Sequence, residues 1–209
     1  MFYDEFKITY DEGWLSQKLR IFHRDSRITL SWLAGPIPVN DFVGKEVIAR
    51  MCLDINNGGV FYTDSNGRQL VERRLDERPT YTLDNATEPV AQNYYPVSAM
   101  IAVRDAAAEL AVLPDRAQGG ASLAEGCVEL MVHRRLLFDD WFGVGEPLNE
   151  VAYGTGLVAA GTNTNLKYIY ISKYLYFTGP LKGFMKSVLE SQIVRTRDSK
   201  PRRCTTSRS

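Results

Sequence analysis

The fold is decided by the stretch ITLSWL at residues 28–33, in which apolar and polar side chains alternate. Alternation with a period of two is typical of a β-strand that buries one face. A second apolar-rich run, LRIFH, precedes it at residues 19–23, and the turn-forming residues 24–26 separate the two runs. We therefore predict an antiparallel hairpin here.

The same organisation continues along most of the chain, from residue 6 to about residue 137. Turn formers such as NNGG at residues 56–59 separate short runs rich in β-forming side chains. Residues 104 and 105 predict another hairpin, although the alanines of residues 104–112 also allow a helix. About seven or eight short strands at regular spacing predict an all-β fold, an antiparallel β-sandwich. The further predicted strands are residues 6–10, 60–63, 98–103, 109–113 and 128–133.

The charge of the chain is divided unevenly. Residues 1–150 hold 15 basic and 23 acidic side chains, whereas residues 151–209 hold 10 basic and 2 acidic ones. A net charge of zero over 209 residues is therefore a cancellation between two parts of different character. No apolar run reaches about 18 residues, so we predict no transmembrane helix. The first residues lack the features of a signal peptide, which read literally predicts a cytoplasmic protein.

The C-terminal part, residues 159–209, is predicted to be an irregular or partly helical basic tail. It contains an aromatic run at residues 166–177 and a candidate short helix at residues 183–194. Residues 195–209 are rich in Arg, Lys, Ser and Thr, and we predict that they are disordered. A nucleic-acid patch is the alternative, but no aromatic side chain interleaves the basic run, which disfavours it.

Cysteine and histidine are scarce. The cysteines Cys52, Cys127 and Cys204 are odd in number and scattered, which argues against a disulfide framework and against a zinc knuckle. The two histidines, His23 and His133, are too few for a self-contained site with several His ligands. We therefore predict no metal site in this chain.

A series of motifs resembles one known family. The resemblance runs from about residue 14 to about residue 158, and it is to the C-terminal β-domain of glycoside hydrolase family 38, in particular its lysosomal-type α-mannosidases. It implies that residues 1–158 are part of a galactose mutarotase-like supersandwich. The motifs are WLAGPIPV (32–39), GKEVI (44–48), FYTDSNGR (61–68), RR (73–74), NATEPVA (85–91), NYYPV (93–97), DRAQGGASL (115–123), ELMVHRRLL (129–137), DD (139–140) and GVGEPLNE (143–150).

The resemblance implies a function for the full-length family and not for this chain alone. Its members are zinc-dependent retaining α-mannosidases in which a carboxylate attacks the anomeric carbon and a second carboxyl acts as acid and then base. The resemblance places the nucleophile and the zinc ligands in a preceding catalytic barrel. We therefore expect the isolated chain to be inactive, with that barrel and a mannose-containing glycan as its partners. It also implies a lysosomal or secretory location.

The resemblance also implies a set of cleft contacts. One arginine of the HRR strand is expected to reach the glycan pocket, because its fork of donors suits sugar hydroxyls and carboxylates. Neighbours in a strand face opposite sides, so only one of the two is expected to do so. The QGG turn is expected beside it, its glycines allowing close approach of the barrel or ligand. The expected contacts are Arg134, Arg135, Gln118, Gly119 and Gly120.

Several alternatives stay open at this stage. The two arginines can instead be solvated or form ion pairs with Asp139 or Asp140. Those two aspartates and Glu146 can be read as a glycosidase carboxylate pair, although acidic loop residues are common. Asn85 begins an Asn-Ala-Thr sequon, which is a candidate glycosylation site in a secreted protein.

A function of another class also stays open. The chain can be a stand-alone carbohydrate-binding or interaction module, because exposed aromatic rings on a sandwich can stack on sugars. The candidate rings are Tyr62, Tyr94, Tyr95 and Trp141.

Overall fold

The protein is all-β, as predicted. The computed structural model describes residues 3–10, 13–23, 25, 27–83, 88–139, 143, 145–169 and 192–197. Over these residues it has one short 3₁₀ helix, Ala91–Asn93, and the strands form three antiparallel groups. The strands are β1 Tyr3–Thr9, β2 Leu15–Phe22, β3 Arg27–Ala34, β4 Gly44–Cys52, β5 Val60–Ser65, β6 Gln69–Arg74, β7 Tyr95–Val97, β8 Ile101–Arg104, β9 Ala108–Pro114, β10 Gln118–Ala121, β11 Cys127–Arg135, β12 Val151–Ala152, β13 Thr155–Gly156, β14 Ala159–Ile169 and β15 Gln192–Arg197.

Two large sheets form the two layers. The first has eight strands in the order β1-β2-β3-β14-β9-β8-β5-β6, and the second has five in the order β15-β4-β11-β10-β7. Strands β12 and β13 pair with each other in a small separate ribbon. This arrangement agrees with the predicted antiparallel sandwich. Within the described ranges, no helix has the length and apolar character needed to cross a bilayer.

The hairpin predicted around residues 24–26 is confirmed. Strands β2 and β3 pair antiparallel, with Leu19 opposite Leu30, and every second residue of each strand is buried. The ambiguous segment at residues 104–112 is also resolved in favour of strands, because β8 and β9 pair across a tight turn. Apolar alternation explains the first hairpin, since its register puts the apolar side chains on one face, whereas β8 and β9 bury consecutive residues.

The core lies between the two large sheets. Phe61, Ile101 and Leu110 of the larger sheet and Val128 and Leu130 of the smaller one are completely buried in one cluster. Burial of each such side chain contributes about 1.5–3 kcal/mol to folding. A smaller cluster around Ile37 and Val47 fills the other end of the molecule, next to the site described below.

The prediction against disulfides was wrong for two of the three cysteines. Cys52 at the end of β4 and Cys127 at the start of β11 are directly opposite in the ladder and form a disulfide. They are 75 residues apart in the chain, so only the pairing of the two strands brings them together. Cys204 lies outside the described residues.

The C-terminal part differs from the irregular or partly helical tail that we expected. Residues 159–169 form β14, which pairs with β3 on one side and with β9 on the other. The structure has a strand, β15, where the predicted helix ends and where predicted disorder begins, and it pairs with the edge of β4. Residues 170–191 and 198–209 lie outside the described residues. The open ladder edges of β3, β9 and β4 therefore pair with these two segments.

Candidate functional site

Strand β11 carries the two candidate arginines, and a β-bulge sets their positions. The register with β4 shifts by one residue after Met131, so that Arg134 lies opposite Glu46. Without this shift Arg134 would lie opposite Lys45, and like charges at opposed positions destabilise a sheet. Arg134 and Arg135 then point to opposite faces, as the strand pleat requires.

Arg134 is the exposed member of the pair. Its side chain is 48% exposed, and its Nη1 lies 3.6 Å from Oε1 of Glu46. An ion pair this long and this exposed contributes little to stability. Most of the donors of the guanidinium therefore stay available for a ligand.

Arg135 is held inside the protein. Its Nε donates to Oδ1 of Asn149 at 2.7 Å and its Nη1 to the Ile37 carbonyl at 2.9 Å. The guanidinium also lies against Gly156, where an added Cβ would come within 2.5 Å of Nη1. Arg135 therefore joins three segments of the chain, and two of its five donors are bound inside the protein.

A cleft of about 290 Å³ opens beside Arg134. Its walls come from both sheets: Arg134 and Glu46 lie on one side, and Trp32 of β3 lies on the other. Arg116 and Gln118, at the connection from β9 to β10, also line it, together with His133 and several apolar residues. The cleft is therefore largely apolar with a few charged and amide groups at its edge, which is the usual composition of a small-molecule site.

The QGG segment is part of strand β10 and not the turn that we expected. Gln118 and Gly119 line the cleft, while Gly120 faces the core, where a Cβ would come within 2.7 Å of Val97. A Cβ on Gly119 would stand 2.9 Å from the sulfur of Met131. Both glycines therefore make room for side chains of the chain itself.

Two residues of the lining hold buried polar atoms without a partner. The Nε2 of Gln118 donates to the carbonyl of Met131, whereas its buried Oε1 has no partner among the described residues. The indole nitrogen of Trp32 is likewise buried without a described partner, and both residues line the cleft. Both atoms are enclosed by the protein, so they lower its stability and are not open to a ligand.

The two charged pairs at the cleft are each internally neutralised. Arg116 donates to both carboxylate oxygens of Asp115, at 3.0 and 3.1 Å, and this contact holds the pKa of Asp115 below its usual value. Arg116 also donates to the Ala160 carbonyl at 2.6 Å and lies 5.8 Å from the ring centre of Trp32. Each of the two arginines that line the cleft, Arg116 and Arg134, therefore lies beside a carboxylate.

Sequence reasoning missed a buried network next to these residues on β11. Glu129 is 1% exposed, and its Oε2 accepts two bonds from Arg50, at 2.9 and 2.6 Å. Its Oε1 accepts a hydrogen bond from the hydroxyl of Tyr94. The available signal was an acidic residue between Val128 and Leu130 in a strand, because a buried charge needs partners.

The tyrosines proposed as a sugar-stacking surface do not form an open platform. Tyr95 is 7% exposed and has the guanidinium carbons of Arg73 and Arg78 4.2 and 3.9 Å from its ring centre. The ring of Tyr62 is covered by Arg104 at 4.2 Å. Tyr94 is half-buried and bonded to the Glu129 network. Trp141 lies outside the described residues, so this reading loses its support at three of its four positions.

Four further candidates are two described residues away from the cleft and two residues outside the described part of the chain. Asp139 is half-buried and Glu146 is exposed, and neither lines the cleft. Asp140 and the sequon residue Asn85 lie outside the described residues. Asn85 as a glycosylation site therefore stays a prediction.

The described residues do not fit the zinc that the resemblance implies for full-length enzymes. His23 pairs with Asp4 at 3.2 Å on the outer strands of the larger sheet. His133, on the other sheet, lies 3.1 Å from the Leu157 carbonyl. Within the described part of the chain, no group of three or more His, Cys, Asp or Glu side chains is arranged to hold a metal ion.

Comparison with known proteins gives one consistent result. Residues 3–142 match the family described as "Glycosyl hydrolases family 38 C-terminal domain". The chain is 55% identical over 149 residues to the lysosomal alpha-mannosidase of Bos taurus, covering 71% of this chain and 15% of that protein. It is 55% identical over 142 residues to the lysosomal alpha-mannosidase of Homo sapiens, covering 68% and 14%. With an alpha-mannosidase of Canavalia ensiformis it shares 48% over 138 residues, covering 66% and 14%. The chain thus spans only 14–15% of the length of these relatives.

Proposed function

Because the chain belongs to the family of glycosyl hydrolase family 38 C-terminal domains, we propose that it is the β-domain portion of an α-mannosidase. In this role it forms one wall of the cleft in which a separate catalytic domain binds a mannose-containing glycan. The chain itself contributes binding and no bond-breaking group. Its relatives carry lysosomal alpha-mannosidase in their names, and we extend a lysosomal location to the enzyme of which this domain would be part.

One observation carries the proposal: Arg134 is exposed at a cleft while its neighbour Arg135 is bound inside. A guanidinium with available donors can bind two hydroxyl oxygens of a sugar at once, because its N–H groups form a fixed fork. Glu46, at 3.6 Å, limits the motion of Arg134 without occupying all of its donors. We therefore assign glycan contact to Arg134 and a structural role to Arg135.

Gln118 and Gly119 support the same wall. Gln118 lies beside Arg134 in the lining, and the bond from its Nε2 to the Met131 carbonyl fixes its side chain there. Gly119 leaves room for the side chains of Met131 and Tyr94, which pack behind the wall. Gly120 faces the core and takes no part in binding.

The chemistry of bond cleavage lies outside these residues. Retaining glycosidases need two carboxyl groups about 5–5.5 Å apart across the scissile bond. Asp115 and Glu46, the acidic groups at the cleft, are each paired with an arginine there. Zinc would supply Lewis-acid chemistry in the catalytic domain, and no residue described here is assigned to it.

A chimaera tests the proposal directly. Residues 3–142 of this chain are exchanged into the matching segment of the Bos taurus enzyme, and hydrolysis of an aryl α-mannoside is measured with zinc present. We expect the chimaera to be active and the isolated chain to be inactive. A chimaera that unfolds at the temperature of the parent enzyme but has no activity contradicts the proposal, as does turnover by the isolated chain above a heat-treated control.

The two arginines provide a matched pair of variants in the chimaera. Arg134→Ala is expected to raise KM for an N-glycan by about tenfold with an unchanged melting temperature, because it removes a charged hydrogen bond to the substrate. Arg135→Ala is expected to lower the melting temperature, because it leaves the buried Ile37 carbonyl without its donor. Equal effects of the two variants on KM would refute the division of roles.

A further inference from the structure

Strand β1 ends the larger sheet with an open edge. It pairs with β2 on one side, and among the described residues no strand lies on its other side. The Tyr10 N–H donates to the Leu15 carbonyl at 3.0 Å, which continues the β1–β2 register by one residue pair. Because the backbone groups of successive residues point to alternate sides of a strand, even-numbered residues bond to β2 and odd-numbered ones point outward. The outward-pointing residues are Tyr3, Glu5, Lys7 and Thr9.

The side chains of β1 do not cover this edge. Six of the seven residues of the strand are exposed. Phe6 lies opposite Leu19 in the register, but Leu19 is completely buried whereas Phe6 is 38% exposed. The core therefore ends at β2, and β1 extends beyond it. An exposed strand edge of this kind is a template for pairing with a further strand.

The charges of β1 are arranged symmetrically about Phe6, with Glu5 before it and Lys7 after it. Glu5 forms ion pairs with Lys18 at 3.4 Å and with Arg20 at 2.7 Å. Lys7 lies opposite Lys18 in the register, and like charges at opposed positions destabilise a sheet. No ion pair of the described structure includes Lys7. A carboxylate placed beside Lys7 on the open side would therefore improve its surroundings.

We propose that the open edge of β1 pairs with β1 of a second copy of this chain, antiparallel and about a two-fold axis at Phe6. Each Glu5 then lies opposite Lys7 of the other copy, so that two ion pairs form across the axis. The two exposed Phe6 side chains lie opposite each other at the axis itself. The two eight-stranded sheets join into one, through an interface that uses the same strand of both copies.

The charges of β1 also select this register over its neighbours. An axis at residue 5 would put Glu5 opposite Glu5, and an axis at residue 7 would put Lys7 opposite Lys7. Both arrangements are repulsive, and only the axis at Phe6 brings opposite charges together. Charged side chains on an edge strand usually prevent association. Here they match a second copy of the same strand, and this match argues for a copy as the occupant of the edge.

The first test measures the oligomeric state of the full 209-residue chain by analytical ultracentrifugation over micromolar concentrations. We expect a dimer whose fraction rises with concentration. Lys7→Glu should weaken the dimer by at least about tenfold, because the axis then places two carboxylates opposite each other at two positions. The same change removes the repulsion between Lys7 and Lys18, so β1 should stay paired with β2.

Arg68→Glu is the matched control for this variant. It makes the same change in charge in the exposed turn between β5 and β6, at the opposite edge of the larger sheet. We expect its dimer to dissociate at the same concentration as that of the parent chain. A parent chain that stays monomeric, or equal effects of Lys7→Glu and Arg68→Glu, overturns the proposal.

A cysteine cross-link tests the position of the axis, in chains that carry Cys204→Ser. Phe6→Cys places two thiols at a non-hydrogen-bonded pair, where the Cα atoms are about 4.5 Å apart and a disulfide can form. Ile8→Cys is the control, because its two thiols would lie about 14 Å apart along the strands and cannot be bridged. We expect a covalent dimer on a non-reducing gel from Phe6→Cys alone. Equal cross-linking of the two variants, or none from Phe6→Cys, overturns the proposal. Neither test uses glycosidase activity, so the result is independent of the proposed function.

Discussion

Strands β11 and β14 both run through the interior of a sheet, β11 between β4 and β10 and β14 between β3 and β9. Each strand buries polar side chains, but only those of β11 have described hydrogen-bond partners. Glu129 of β11 is bonded to Arg50 and Tyr94, whereas Asn163 and Asn165 of β14 have no described partner. Strand β11 lies within the segment that matches the family, and β14 lies beyond it.

The difference shows that a strand can be held in a sheet by backbone pairing although its side chains do not suit that place. Backbone pairing alone is enough to place β14 in the sheet. In β11 the side chains do suit their place, because the buried carboxylate has partners and a disulfide links the start of the strand to β4. We therefore expect that changes which remove partners in β11 destabilise the protein, and that changes which remove polar atoms in β14 stabilise it.

The largest expected effect is that of the disulfide. Replacing Cys52 and Cys127 by alanine should lower the free energy of unfolding by about 4 kcal/mol, the value expected for a loop of this length. The loop is long, with 75 residues of separation, so the unfolded chain gains much entropy when it opens. Urea unfolding at neutral pH measures the change. Reductant should destabilise the parent chain and leave the double variant unaffected, and a variant as stable as the parent would show that β11 does not depend on its link to β4.

The next effect concerns the buried carboxylate of β11. Glu129→Ala should lower the free energy of unfolding by about 3 kcal/mol, because it leaves Arg50 largely buried without its counter-charge. Glu72→Ala is the matched control: Glu72 is 48% exposed and pairs with Arg74 at 2.8 Å on the surface. Its loss should change stability by less than about 0.5 kcal/mol. Similar losses in the two variants would remove the contrast on which the comparison rests.

The parts of the fold that the sequence predicts are those in which pattern and environment agree. Residues 28–33 alternate and form the buried-and-exposed pattern of β3, whereas β8 and β9 are apolar runs on either side of a turn. In β14 the inward positions are Gly161, Asn163 and Asn165, so its alternation carries no apolar signal. That strand could not be predicted, because its place depends on two partner strands and not on its own side chains.

The candidate site was predictable only in its outline. The motif placed Arg134 and Arg135 in one strand, but which of them is exposed at the cleft depends on a bulge after Met131. A bulge inverts which neighbour faces which side, and it leaves little trace in a single sequence. The Cys52–Cys127 disulfide was not predicted for a similar reason, since the two cysteines are adjacent only in the register of β4 with β11.

Two asparagines provide the most direct comparison of adapted and unadapted burial. Asn57 is 7% exposed, accepts from the Gly126 N–H at 2.7 Å and donates to the Val60 carbonyl at 2.7 Å. Asn57→Val should therefore lower the free energy of unfolding by about 2 kcal/mol. Asn165→Val, which removes two unpartnered atoms, should raise it by about 1–2 kcal/mol. Urea denaturation of both variants checks the opposite signs, and a loss of stability for Asn165→Val would count against the account of β14.

The smallest expected effect is that of the buried carboxylate of Asp64. Its dependence on pH distinguishes a buried charge from the buried neutral amides of β14. Asp64 is 7% exposed and receives backbone N–H bonds from Ser98, Ala99, Met100 and Gly67. Burial raises the pKa of Asp64, but these four bonds outweigh it and hold the pKa below its usual value. The folded chain therefore binds the Asp64 proton less readily than the unfolded chain, whose Asp pKa is about 3.9.

The sign of the dependence follows from this difference. Stability contributed by the Asp64 charge is fully present above about pH 4 and is lost as the pH falls through the lowered folded pKa. Asp64→Asn should therefore reduce stability by about 1 kcal/mol at pH 7, because a charged acceptor is stronger than a neutral one, and the difference from the parent should shrink toward pH 3. The gain from Asn165→Val should stay constant over the same range, because neither amide nor valine titrates. Urea unfolding of both variants at several pH values measures the two dependences. If the stability gained by Asn165→Val varied with pH as the effect of Asp64→Asn does, a titrating group would act on β14. Buried amides alone would then not explain the low stability of this strand.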